Sequence, residues 1–88
     1  MLCGQKNGNY TVIKCVQIDT TTWVVLAEQD GKDAYVSWLA LDPNYTGTVS
    51  YNFGHYSMNY LDALEEFWLR VRKEIDFELI RIEEDKRF

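Results

Sequence analysis

The sequence predicts an α+β domain: a four-stranded antiparallel β-meander with one long C-terminal helix packed on one face (ββββα). Three observations carry that reading. Asp30-Gly31 separates two β-rich runs, Thr22 to Gln29 and Lys32 to Leu39, and Asp-Gly in that setting is the strongest short-range hairpin signal. Two further runs, Tyr10 to Ile18 and Thr48 to Phe53, alternate apolar and polar residues with period two. From Met58 onward apolar residues recur at spacings of three and four, the period of a helix.

Residues 1–9 hold two glycines and two asparagines and read as a lead-in. The first strand, 10–18, places Tyr10, Val12, Val16 and Ile18 on one side, interrupted by Lys14. Asp19-Thr20-Thr21 turns the chain into the second strand, 22–29. With Asp30 and Gly31 as the central pair of a type I′ turn, the third strand, 33–41, sets Trp23 opposite Trp38, Val25 opposite Val36 and Ala27 opposite Ala34. The reverse face then carries Val24, Leu26, Glu28, Tyr35, Ser37 and Leu39. Asp42-Pro43-Asn44 ends the third strand, because proline cannot donate to a ladder. The fourth strand, 48–53, aligns Val49, Tyr51 and Phe53 on one face, and Gly54 breaks it.

Leu61, Leu64, Trp68, Val71, Ile75, Leu79 and Ile82 form the helical stripe, an arc about 100° wide. Ser57 or Asn59 caps its start. One helix from about Asn59 to Glu84 fits the pattern; the alternative is a fifth strand over Phe77 to Ile82, where Phe77 and Leu79 alternate with Glu78 and Ile80. The stripe from Leu61 to Ile75 is expected to pack on the face bearing Trp23 and Trp38. A helix of that length spans about 39 Å and an eight-residue strand about 27 Å, so its end overhangs the sheet.

Eighty-eight residues make a single domain, and three Trp, six Tyr and four Phe supply the core a small chain needs. The net charge of −5 divides into −2 over residues 1–58 (three Lys against five Asp and Glu) and −3 over the rest (six Lys and Arg against nine Asp and Glu). Without a basic patch the chain lacks the footprint for direct nucleic-acid binding, and no apolar run is long enough for a membrane span. Cys3 reads as a free thiol and Cys15 as a small buried hydrophobe. With no apolar leader segment, the expected compartment is the reducing cytoplasm.

Catalysis needs convergent acid, base or nucleophile groups, and the chain offers one histidine, no phosphate loop and no zinc-spaced ligands. The reading is therefore a non-enzyme with no cofactor and no metal. His55 reads as a turn histidine, and Asp62, Glu65 and Glu66 as a solvated helix start. A shallow pocket formed by Trp38, Tyr51 and His55 is the one enzymatic arrangement on offer. Leu69, Phe77 and Ile80 fall on the outer side of the helix, and Tyr35 and Leu39 on the sheet face opposite the tryptophans. Apolar surface of that kind marks a protein contact. The first functional expectation is a protein-binding module that forms a homodimer through those residues. The alternative is an acidic inhibitor occupying a nucleic-acid-binding site on a larger enzyme, with Glu28, Asp30, Asp33 and Asp42 as phosphate surrogates.

Gly54-His55-Tyr56, followed by Tyr60, Ala63-Leu64 and Phe67, resembles short proteins of unknown function encoded on mobile elements of gut Gram-positive bacteria. In those a strand ending in Gly-His-Tyr precedes a helix with an acidic start and an Ala-Leu-x-x-Phe core. The resemblance implies a bacterial, cytoplasmic accessory protein of sheet-plus-helix architecture, and it brings no catalytic residue, cofactor or partner.

Overall fold

The computed structural model describes residues 3–42 and 49–85, with side chains described as far as Ile80. Five strands, β1 (Lys6–Asn7), β2 (Tyr10–Gln17), β3 (Thr22–Gln29), β4 (Tyr35–Leu41) and β5 (Ser50–Ser57), precede one helix, α1 (Tyr60–Asp85). The strands lie side by side in chain order in one curled antiparallel sheet. The expected loop at 43–47 and Thr48 lie outside the described residues.

One strand more is present than the four expected. β1 pairs with β2 through Asn7↔Tyr10, which leaves Gly8-Asn9 as a two-residue loop. Gly8 has φ +62, as the first position of a type II′ turn requires. Gly4 N–H donates to the Val12 carbonyl (2.8 Å) and Val12 N–H to the Gln5 carbonyl (2.9 Å). The lead-in is thereby part of the sheet. Cys3 and Cys15 form a disulfide, with Cα atoms 5.9 Å apart, so neither is the free thiol or simple hydrophobe expected.

The β3–β4 hairpin forms, but not in the expected register. Trp23 faces Ala40, and Val25 faces Trp38. The connection is four residues long and closes with Gln29 N–H donating to the Ala34 carbonyl at 2.8 Å. Gly31 takes φ +73 while Asp30 does not adopt positive φ, so the pair is not a type I′ turn. The offset is two residues, and an even shift leaves every side chain on its own face.

What did invert is the face that the helix covers. Val24, Leu26, Ala63, Phe67 and Val71 are buried together, with Val16, Ile18, Tyr35, Leu39, Leu64 and Ile75 packed around them. α1 thus lies on the face of Val24 and Leu26, and its contact stripe is centred on Ala63, Phe67 and Val71. Leu61, Trp68 and Leu79 of the expected stripe are exposed. Small Ala63 allows the close approach, and Phe67 rather than Trp68 fills the space beneath the helix.

The tryptophan face closes by curling. Val12, Val25, Ala27, Val36, Trp38 and Ala40 form its buried cluster, joined by Tyr10, Trp23 and Tyr51. Tyr10 on β2 meets Trp38 on β4 at 5.6 Å and Tyr56 on β5 at 6.2 Å between ring centroids. In a flat sheet β2 and β5 would stand about 14 Å apart. Ala27 and Ala40 keep the inside of the bend narrow enough for the rings to meet.

Bulges at two points make the curl and change the faces. Around Ile13 the register of β2 shifts by one residue, so Cys15 joins the face of Tyr10 and Val12 while Val16 and Ile18 turn to the helix. Between Ser37 and Leu39 the register on β5 also shifts, which sets Trp38 against two residues, Phe53 and Gly54. β5 does not end at Gly54; it continues to Ser57.

Candidate interaction groove

α1 begins where its sequence can terminate a helix cleanly. The Asn59 side-chain carbonyl accepts from Leu61 N–H (2.8 Å) and Asp62 N–H (3.2 Å), the geometry of an N-cap. Ser57 Oγ accepts from Asn59 N–H at 3.2 Å and so supports the cap from outside. The helix then runs unbroken to Asp85, and Phe77 to Ile82 are part of it. Beyond Ile75 none of its described residues joins a buried cluster.

Along the β5 side of α1 runs a groove of about 420 Å³, lined by Leu39, Phe53, Glu66, Leu69, Arg70, Lys73, Glu74 and Phe77. Its β5 wall is the bulge. Phe53 adopts φ +57, a left-handed conformation that a bulky side chain adopts only under constraint. The constraint is next to it: a Cβ on Gly54 would stand 3.0 Å from Trp38 Nε1 and 2.9 Å from Tyr56 Cε2. The backbone must pass close over the buried indole at Gly54, and Phe53 absorbs the resulting turn. Its ring is 75 % exposed and stands on the helix side of the sheet, not on the face of Val49 and Tyr51 where alternation places it.

The floor of the groove is polar at one point. Arg70 Nη1 donates to the Ser37 carbonyl oxygen at 3.3 Å. Burial pushes the Arg70 pKa down, opposed by the neighbouring Glu74 and Glu66 carboxylates. Ser37 Oγ, beneath it, is buried without a hydrogen-bond partner among the described residues. At the upper end His55 Nε2 lies 3.9 Å from Glu66 Oε2.

Three of the five interface candidates, Leu39, Leu69 and Phe77, line this one groove. Ile80 lies one turn further along α1 and is more than half exposed, as are Leu69 and Phe77. Tyr35 and Leu39 do not form an open second surface. Both pack under the helix, and the Tyr35 ring meets Tyr60 at 5.3 Å. Phe53, which alternation assigned to the other face, is the apolar lining residue the sequence reading missed, and Arg70, Lys73 and Glu74 are the charged ones. Gly54 within a strand pattern was the available signal.

The remaining candidates are not brought together. His55 pairs in register with Ser37 and faces the helix, while Trp38 and Tyr51 face the other side. Glu28, Asp30 and Asp33 surround the β3–β4 turn, but Asp42 is buried beyond the far end of β4. Asp30 is also taken, by Lys6 Nζ at 2.8 Å and by the Thr11 hydroxyl at 2.7 Å. Among the described residues no group of three His, Cys, Asp or Glu is arranged to hold a metal ion, and no helix is long and apolar enough to cross a membrane. Comparison with protein-family models, curated proteins and solved structures finds no match.

Proposed function

We propose that this protein is a small protein-binding module that self-associates through the outer face of the C-terminal half of α1. The observation that supports this reading is the stretch after Ile75. Phe77 and Ile80, three residues apart on one side of α1, are both more than half exposed, and Phe77 lines a groove with Leu69 and the exposed Phe53. Contiguous apolar surface of this kind is a contact surface in a stable soluble fold. An isologous two-fold contact is the simplest way to cover it.

Sedimentation equilibrium over a wide concentration range tests the reading, with the wild type beside a Phe77→Glu, Ile80→Glu double variant. The wild type is expected to approach twice the chain mass as concentration rises, and the variant to stay monomeric with unchanged far-ultraviolet circular dichroism. A wild type that remains monomeric throughout overturns the proposal.

A further inference from the structure

We propose that the Cys3–Cys15 disulfide is a redox latch: its reduction by a dithiol releases residues 3–9 from the sheet and turns β2 into an open edge, with the rest of the fold in place. The inference is independent of self-association. The two cysteines sit in unlike surroundings. Cys15 is partly buried on β2 against the tryptophan-face cluster, whereas Cys3 is exposed, so an incoming thiolate reaches the bond from the Cys3 side.

The latch holds a segment with nothing to bury. Gly4-Gln5-Lys6-Asn7-Gly8-Asn9 contains no apolar side chain, and all but Asn7 are exposed. Its ties to the sheet are polar, among them the Lys6–Asn7 ladder on β2, the bonds of Gly4 and Gln5 to Val12, and Asp30 N–H donating to the Asn9 carbonyl at 2.8 Å. The Lys6–Asp30 ion pair is open to solvent, with side chains 64 % and 41 % exposed, and such a pair adds little. Fixing each residue costs backbone entropy, and Gly4 and Gly8 raise that cost. Without the covalent link the ties do not offset it, and the segment opens as a local unit. The Val12 N–H and carbonyl, which meet Gln5 and Gly4 in the latched form, then face solvent. β2 becomes an unprotected strand edge.

The step is a thiol–disulfide exchange. A thiolate of the dithiol attacks the Cys3 sulfur, and Cys15 leaves as a thiolate. The second thiol of the reductant then displaces Cys3 and closes the reductant's own disulfide. Two electrons pass to the protein, and the two protons that the dithiol gives up end on the cysteines.

Backbone NMR relaxation of the full chain, with and without dithiothreitol, tests the latch. In the oxidised protein Gln5 to Asn9 are expected to share the sheet's order parameters of about 0.85, and in the reduced protein to fall below about 0.6. Cross-peaks of Val24 to Ala27 and Val36 to Ala40 keep their positions. Cys3→Ser reproduces the reduced values without reductant, and glutathione disulfide returns the reduced wild type to the oxidised ones. Order parameters that are already low in the oxidised protein, or that stay high after reduction or in Cys3→Ser, overturn the proposal. So does a collapse of the whole spectrum on reduction, which would make the bond a staple of the global fold, or a reduced form that glutathione disulfide does not restore.

Discussion

The indole Nε1 of Trp38 lies 3.0 Å from the point where a Cβ on Gly54 would stand. Trp38 is held between Tyr10 at 5.6 Å and Tyr51 at 5.2 Å, so it cannot withdraw. Tyr56, the other neighbour of that point, is largely exposed and can. Gly54→Ala is therefore expected to cost about 1–3 kcal/mol, as overpacking does in a filled core. Urea unfolding measures it; an unchanged midpoint would mean that the indole moves freely.

Phe53 should respond in the opposite direction. A non-glycine residue in the left-handed region costs about 1–2 kcal/mol, and a ring exposed to 75 % returns little burial energy. Phe53→Gly relieves the backbone but adds entropy to the unfolded chain. The expected net gain is about 0.5–1 kcal/mol. A loss of several kcal/mol in the same urea experiment would show that the ring is buried in solution.

The Cys3–Cys15 disulfide closes a loop across a sequence separation of 12 residues. Loops of that size give about 3 kcal/mol in the chain-entropy account. Cys3→Ser is expected to lower the thermal midpoint and to abolish its dependence on added dithiothreitol. A wild type that melts identically with and without reductant would show that the bond does not stabilise the fold.

Asp30 links β1 to the β3–β4 turn. Hydrogen bonds from Lys6 and Thr11 hold its carboxyl below the ordinary value of 3.8. The folded state therefore binds this proton less readily than the unfolded chain does. The stabilisation is complete above pH 3.8 and is lost as pH falls through the lower folded value. Wild type and Asp30→Asn should differ in stability at pH 7 and converge in acid. Parallel pH profiles would show that Asp30 carries no such linkage.

Local pattern and tertiary choice separate cleanly in this chain. Asp30-Gly31, the period-two runs and the helical stripe all locate real elements, and Asn59 is the cap its residue type suggests. The missed β1 had a local signal too, Gly8-Asn9 between Asn7 and Tyr10. Turn length was not legible, because Asp-Gly serves a four-residue connection as well as a two-residue one, yet the even offset preserved the faces. The bulges were harder. Lys14 interrupting an apolar alternation and Gly54 inside a strand are their only marks in the sequence. They decide where Cys15 and Phe53 point, and with them the disulfide and one wall of the groove. Both sheet faces are apolar enough to take a helix. Only the curl, made possible by Ala27 and Ala40 among the rings, reserves the tryptophan face for the sheet itself and sends Tyr35 and Leu39 beneath α1.

Each strand pairs with the one that precedes it in the chain, which gives the sheet a low contact order. During synthesis the hairpins can close one after another as the chain emerges from the ribosome, without waiting for distant partners. The helix is different. Val24 and Leu26 are finished early, but the residues that shield them, Ala63, Phe67 and Val71, are made some forty residues later. Until α1 docks, the nascent sheet presents those side chains to water, and that interval is when the chain is most open to chaperones and to aggregation.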